Sequence, residues 1–282
     1  MSERPAQAQS YPGSSGDMSP EPRDEMLDYT GSGLLKDVRA LVTGGDSGIG
    51  RAVAIAFAKE GADVAITYLD EDHDARHTAE HVATAGRRCF AFGGDLAEER
   101  HAREVVAHAV RDLGGLDVLV LHHGTQAPVD DIREIDGARL RRTFDVNVLS
   151  LFWIVQEALP HLGRGSSIVV TGSVNGLRGN KTLIDYAASK AAAMGLAASL
   201  AQNLMEREIR VNVVAPGPVW TPLIPATLPE GKVEEFGEQA PMGRAAEPDE
   251  IAPSYVFFAA NRLSSYYTGQ TLVPGGGEIH PG

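Results

Sequence analysis

The run T-G-G-D-S-G-I-G, from Thr43 to Gly50, limits what this chain can fold into more than any other feature, because of where it stands. Apolar residues 39–42 precede it, and residues 49–60 repeat apolar side chains at the helical period. A strand that passes through a glycine-rich turn into a helix opens a βα unit with a particular capacity. Gly44, Gly48 and Gly50 let the backbone turn tightly and approach a pyrophosphate. The phosphate charge then meets N–H groups and the positive helix end. Asp46, Ser47 and Ile49 complete this expected cofactor cradle. Its spacing, G-x-x-x-G-x-G, departs from the commoner dinucleotide spacing G-x-G-x-x-G.

The rest of the chain keeps the same rhythm. Six further strands are predicted at 64–68, 89–92, 118–121, 167–171, 210–214 and 270–273. Helices are predicted at 74–85, 98–113, 140–158, 186–207 and 249–260. Short apolar strands alternating with helices imply an α/β fold. The expected architecture is one Rossmann-type doubly wound parallel sheet of about seven strands, with right-handed crossovers and helices on both faces. Residues 216–248, rich in Pro and Glu, break the rhythm. They read as an insertion over a site, with a short helix near 231–239.

Composition narrows the function classes. A net charge of −13 disfavours nucleic-acid and anionic-membrane partners, which it would repel. The single cysteine, Cys89, permits no internal disulfide, and a reducing cytoplasm is the expected home. No apolar stretch approaches the roughly eighteen residues of a membrane span. Residues 1–35 differ in kind: Pro5, Pro12, Pro20 and Pro22 stand among Ser, Gly, Gln and acidic residues. With so little apolar area the segment reads as a flexible N-terminal arm, either free or docked on a neighbouring subunit. Tyr11, Met26, Leu27 and Tyr29 are its expected anchors, and residues 36–282 form the expected catalytic domain.

Tyr186 and Lys190 stand four apart in D-Y-A-A-S-K, a spacing that puts both on one helix face. Ser173 lies upstream at the end of a predicted strand, where open α/β sheets place ligands. Together with the glycine run, these residues resemble the classical short-chain dehydrogenase/reductase family across residues 38 to about 278. The likeness extends to a branch with a long N-terminal extension, which includes bacterial aldehyde reductases and glucose/ribitol dehydrogenase homologues. It implies an NAD(P)-dependent oxidoreductase that interconverts an alcohol and an aldehyde, ketone or sugar-like carbonyl by hydride transfer. It also implies a catalytic set of Asn147, Ser173, Tyr186 and Lys190. Ser173 would hold the substrate oxygen, Tyr186 would exchange its proton, and Asn147 would anchor a relay water. Lys190 would bind the nicotinamide ribose and, together with the positive nicotinamide ring of the oxidised cofactor, lower the phenol's pKa. Asp95 and Leu96 would lie near the adenine, with Gly124 on the cofactor floor. Pro216, Gly217, Val219 and Thr221 would meet the nicotinamide end. Members of the family are usually tetramers built on the helices predicted at 140–158 and 186–207.

The chain departs from the family pattern after the fourth strand and in the late V-D-G-G, which reads Val273, Pro274, Gly275 and Gly276 here, a change expected to touch a subunit contact rather than the chemistry. Where the family writes N-N-A-G, Leu121, His122, His123 and Gly124 stand. Neighbours on a strand point to opposite faces, so one histidine is expected on the cofactor floor, the other packed, with no metal held between them. The position at the end of the second strand, acidic in NAD-preferring members, is Tyr68. That favours NADP, while Asp70, Glu71 and Asp72 would repel a 2′-phosphate and favour NAD. The choice between NAD and NADP stays open. The substrate pocket is expected among Val174, Asn175, Gly176, Ile184, Trp220 and residues 218–242, with Trp220 and Leu223 either facing the substrate or packing the lid. A catalytically silent nicotinamide-binding sensor or scaffold is the alternative function.

Overall fold

Seven parallel strands lie in the order β3-β2-β1-β4-β5-β6-β7 in a computed structural model that describes residues 4–279. The first half runs β1 (Arg39–Thr43), α1 (Gly48–Lys59), β2 (Asp63–Tyr68), α2 (Asp72–Thr84), β3 (Cys89–Gly93), α3 (Glu99–Leu113) and β4 (Val118–Leu121). Then come α4 (Gly137–Phe144), a π-helical turn (Asp145–Leu149) and α5 (Ser150–Ala158). The chain continues through β5 (Ser167–Thr171), α6 (Val174–Arg178), α7 (Ile184–Asn203) and β6 (Arg210–Val214). It closes with α8 (Leu223–Thr227), α9 (Glu230–Val233), α10 (Pro248–Ala259), α11 (Asn261–Ser264) and β7 (Thr271–Leu272). No helix among the described residues is long and apolar enough to cross a membrane.

The period of two along each strand divides the core into two layers. Ala40, Val42, Val64, Ile66, Val118 and Val120 face the layer of α1 and α10. Leu41, Ala65, Leu119, Leu121, Ile168 and Val170 face that of α3, α5 and α7. Helix α1 is buried on nearly every side, which its Ala52, Ala54, Ala56 and Ala58 permit by letting neighbouring elements approach closely. After β3 the chain crosses to the other side of β1, and β4 pairs with β1. That reversal opens a crevice beyond the carboxyl ends of β1 and β4.

Residues 4–35 lie against their own chain. Met18, Met26 and Leu35 are buried, and Tyr29 donates its hydroxyl proton to Glu60. Leu27, expected as an anchor, is 72% exposed. Counting apolar residues misses what holds the arm, because its principal contacts are polar. Asp24 is buried, accepts from the Gly48 amide at 2.9 Å and pairs with the buried Arg51 at 3.2 Å. Arg51 also pairs with Asp74 at 3.1 Å, and Ser15 donates to both Asp24 and Asp74. The Pro20 carbonyl accepts from the Trp220 indole at 2.9 Å.

Candidate active site

A cleft of about 1160 Å³ lies over the crevice. Single small-molecule sites occupy about 300–1,000 Å³, so this one has room for a dinucleotide and a small substrate together. Gly44 and Gly48 adopt φ of +67° and +52°, a region that side chains disfavour. A Cβ on Gly44 would come within 3.1 Å of the His123 backbone. Asp46, Ser47 and Ile49 line the cleft beside these two glycines. Gly50 does not reach it: it packs underneath, with the Gly44 carbonyl directly over its Cα. Tyr68, Asp95, Leu96 and Gly124 line one side, and Pro216, Gly217, Val219 and Thr221 the other. Backbone cradle and volume fit a dinucleotide.

Ser173, Tyr186 and Lys190 converge on the floor. Ser173 caps α6, where its hydroxyl accepts from the Asn175 amide at 3.1 Å, and it also hydrogen-bonds Tyr186. Lys190, one turn after Tyr186 on α7, donates to the Thr171 carbonyl at 2.9 Å. Its ammonium stands 5.9 Å from the Tyr186 ring centre. Asn147 lies behind this floor and does not line the cleft. It sits in the π-helical turn within the helix predicted at 140–158, a local widening that such helices show at functional sites. Its amide is fully engaged, accepting from Thr125 N–H at 2.8 Å and donating to Thr125 O and Ser189 Oγ. Gly124 is the hinge between the two: a Cβ there would meet Asn147 Oδ1 at 3.3 Å and Lys190 Nζ at 3.5 Å.

Comparisons with known proteins point to one family. A family model described as enoyl-(acyl carrier protein) reductase matches residues 44–278. General stress protein 39 of Bacillus subtilis is 49% identical over 98% of this chain and 97% of its own. NADPH-dependent aldehyde reductase 1 of Arabidopsis thaliana is 46% identical over 95% of each chain. A short-chain dehydrogenase of Burkholderia cenocepacia, solved in complex with NADP, superposes with a TM-score of 0.80 at 34% identity. It covers 86% of this chain and 98% of its own. The chain belongs to the short-chain dehydrogenase/reductase family. It is an NAD(P)-dependent oxidoreductase.

This short-chain dehydrogenase/reductase handles the two histidines differently from the strand-based expectation. Both line the cleft, because β4 ends at Leu121 and alternation stops there. His122 Nδ1 pairs with Thr171 Oγ1 at 3.1 Å, tying the end of β4 to β5. His123 joins Thr43 Oγ1 on β1 to Ser150 Oγ on α5, both at 2.7 Å. The pair thus links neighbouring elements, a task that side-chain amides also perform. Burial and the nearby Lys190 charge push both imidazoles down to about 3, so they are neutral.

Electrostatics at the reacting end also differ from expectation. Burial raises the Tyr186 phenol above its ordinary value, only partly countered by the Ser173 hydrogen bond. Lys190 exerts no resolved lowering on Tyr186; burial instead brings Lys190 itself down to about 8. The phenol is therefore held protonated in the free protein. At the far end Tyr68 donates to Asp72 Oδ1 at 2.7 Å. Of the three acids that follow Tyr68, only Glu71 lines the cleft. Burial and then Asp46 push it up to about 7, while burial takes Asp46 to about 6.

Several residues of the expected pocket do not line the cleft. Trp220 is fully buried in a cluster with Met18, Ile224 and Val233, and Arg4 stacks on its ring at 4.6 Å. Gly176 and Ile184 lie outside the cleft, whereas Val174, Asn175 and Leu223 line it. Tyr11, Pro12 and Gly13 of the arm reach the cleft, where Tyr11 hydrogen-bonds the Thr125 side chain. The only sequence signal for this was an aromatic residue in a polar arm.

Proposed function

We propose that the protein interconverts a small alcohol and its carbonyl partner, an aldehyde, ketone or sugar-like compound, by hydride transfer. The observation that carries this reading is the convergence of Ser173, Tyr186 and Lys190 on one floor of the cofactor cleft. A bound nicotinamide supplies the hydride; the protein must orient the carbonyl and move one proton. Ser173 and Tyr186 hold the substrate oxygen between two hydroxyls, and Tyr186 donates its proton as charge develops there. Lys190, fixed by the Thr171 carbonyl, presents a cation to the ribose end of the cofactor and to the phenolate left behind. Asn147 holds the Thr125 backbone and Ser189, which fixes the wall behind Lys190 and the start of the proton path. The name of the Arabidopsis relative, an NADPH-dependent aldehyde reductase, supports an aldehyde substrate.

The test is consumption of NADH and NADPH against a panel of small aldehydes, ketones and sugars. Turnover with at least one of them is expected. Tight cofactor binding without turnover across the panel would favour the silent sensor instead. Lys190 also sets a pH dependence. The cation is present below about 8 and lost above it. The kcat/KM for reduction should therefore fall with an alkaline limb near pH 8 in the free enzyme. A profile flat from about pH 6 to 10 would remove Lys190 from this role.

A homotetramer is part of the same proposal. Ala188, Ala191, Gly195 and Ala198 form an exposed small-residue stripe on α7, which permits close helix contact. Leu149 and Phe152, 41% and 43% exposed, offer apolar area on the neighbouring helix. Light scattering should give four times the 29.9 kDa chain mass, and a stable monomer would refute it.

A further inference from the structure

His77 and His81 stand one turn apart on α2, and Glu25 of the arm lies against both. His77 Nε2 is 2.7 Å and His81 Nε2 3.5 Å from Glu25 Oε1. The three ligand atoms all lie within 4.8 Å of one another. The cluster is part-buried and outside the cofactor cleft, so the oxidoreductase reaction does not explain it. We propose that Glu25, His77 and His81 form a binding site for a divalent transition-metal ion, of which Zn²⁺ is the type, that clips the arm to α2.

The donor set selects this class of ligand. Two imidazoles with one carboxylate suit Zn²⁺, Co²⁺, Ni²⁺ or Cu²⁺ and not Mg²⁺ or Ca²⁺, which prefer oxygen alone. Ligands at about 2.0–2.1 Å in a tetrahedron stand roughly 3.3 Å apart, between the two separations found here. Spreading the His77–Glu25 contact slightly would admit the ion. An i, i+4 histidine pair keeps both rings on one helix face without backbone change. Three protein ligands leave a fourth position for water. His73 lies one further turn away on the same face, 84% exposed on its side chain and 3.9 Å from Asp74, and is not counted among the ligands.

The site joins segments distant in sequence, which gives it a consequence. Adjacent Asp24 accepts from the Gly48 amide of the cofactor cradle, and Tyr11 to Gly13 of the same arm line the cleft. An ion on Glu25 therefore holds the arm that walls the cofactor site, and its removal frees the arm first.

The test is calorimetric titration of the chelator-treated, tag-free full chain with Zn²⁺ and with Co²⁺ alone. One ion per chain is expected. His77→Gln, His81→Gln and Glu25→Gln should each weaken it by roughly tenfold or more, by analogy with lost metal-site partners. The three side chains are part-exposed, and circular dichroism should show each variant folded. Bound Co²⁺ should absorb in the visible as a low-coordinate nitrogen–oxygen site, a readout independent of any variant. With ion bound, proteolytic cleavage within residues 4–35 should slow in the wild type and not in His77→Gln. No stoichiometric binding, or binding unchanged in all three variants, would overturn the site. In that case the cluster is a histidine–carboxylate contact and nothing more.

Discussion

Replacing Tyr186 by Phe should lower kcat for carbonyl reduction by about 10³-fold, within the 10²–10⁴ range of general acid–base catalysis. NAD(P)H binding should remain close to wild type. The two outcomes separate because of where the hydroxyl sits. Its hydrogen bond goes to Ser173, not to the glycine cradle, so its loss leaves the phosphate end untouched. The ring that remains still fills its buried position on α7, and the chain should melt near the wild-type temperature. Ser173 keeps its bond from the Asn175 amide and can still orient a carbonyl, but no donor of suitable acidity remains. Lys190 does not replace it, since its ammonium is fixed on the Thr171 carbonyl. Rates from cofactor oxidation and affinities from fluorescence quenching check both halves. Undiminished turnover in Tyr186→Phe would sink the proposed mechanism.

The fold and the site were legible in the sequence to different degrees. Strand periodicity found the five inner strands because they are buried on both faces and read as apolar runs, as in Val118–Leu121, while the part-exposed edge strands β3 and β7 showed as short apolar segments between turns. The convergence of Ser173, Tyr186 and Lys190 on one cleft was legible because i, i+4 spacing and a strand end are local rules. What the sequence hid depends on contacts between distant segments. The α6 turn exists because Ser173 caps it, and its five residues carry too little periodicity to be seen. The π-helical turn leaves no pattern of its own in residues 145–149. The fate of the arm was the least legible. Its docking rests on polar contacts to distant segments, among them those of the buried Asp24, whose partners Gly48 and Arg51 lie 24 and 27 residues further on. Trp220 packs the lid, one of its two expected places, but its indole's partner was hidden for the same reason: it is the Pro20 carbonyl two hundred residues earlier.

Gly50→Ala should be the most damaging single-methyl change in the cofactor cradle. A Cβ built at Gly50 would stand 1.8 Å from the Gly44 carbonyl oxygen and 2.9 Å from His122 Cδ2. Neither obstacle is the free end of a flexible chain. The carbonyl belongs to the turn whose backbone lies along the cleft, and the His122 ring is held by Thr171. Relief requires the start of α1 to move away from β1, yet α1 is packed against the sheet and α10. Overpacking by a methylene costs about 1–3 kcal/mol, and a backbone obstacle places this change at the upper end or beyond. At about 2–4 °C per kcal/mol for chains approaching this size, the melting temperature should fall by roughly 6–12 °C. Displacing Gly44 also reshapes the backbone that lines the cleft, so cofactor affinity should fall by at least about tenfold, or 1.4 kcal/mol. Gly163→Ala is the matched control, because nothing lies within 4 Å of a Cβ there. Its melting temperature and cofactor affinity should stay within error of wild type. Equal behaviour of the two variants would mean that the Gly50–Gly44 contact yields without cost, and that close packing under the cradle is not what requires glycine at position 50.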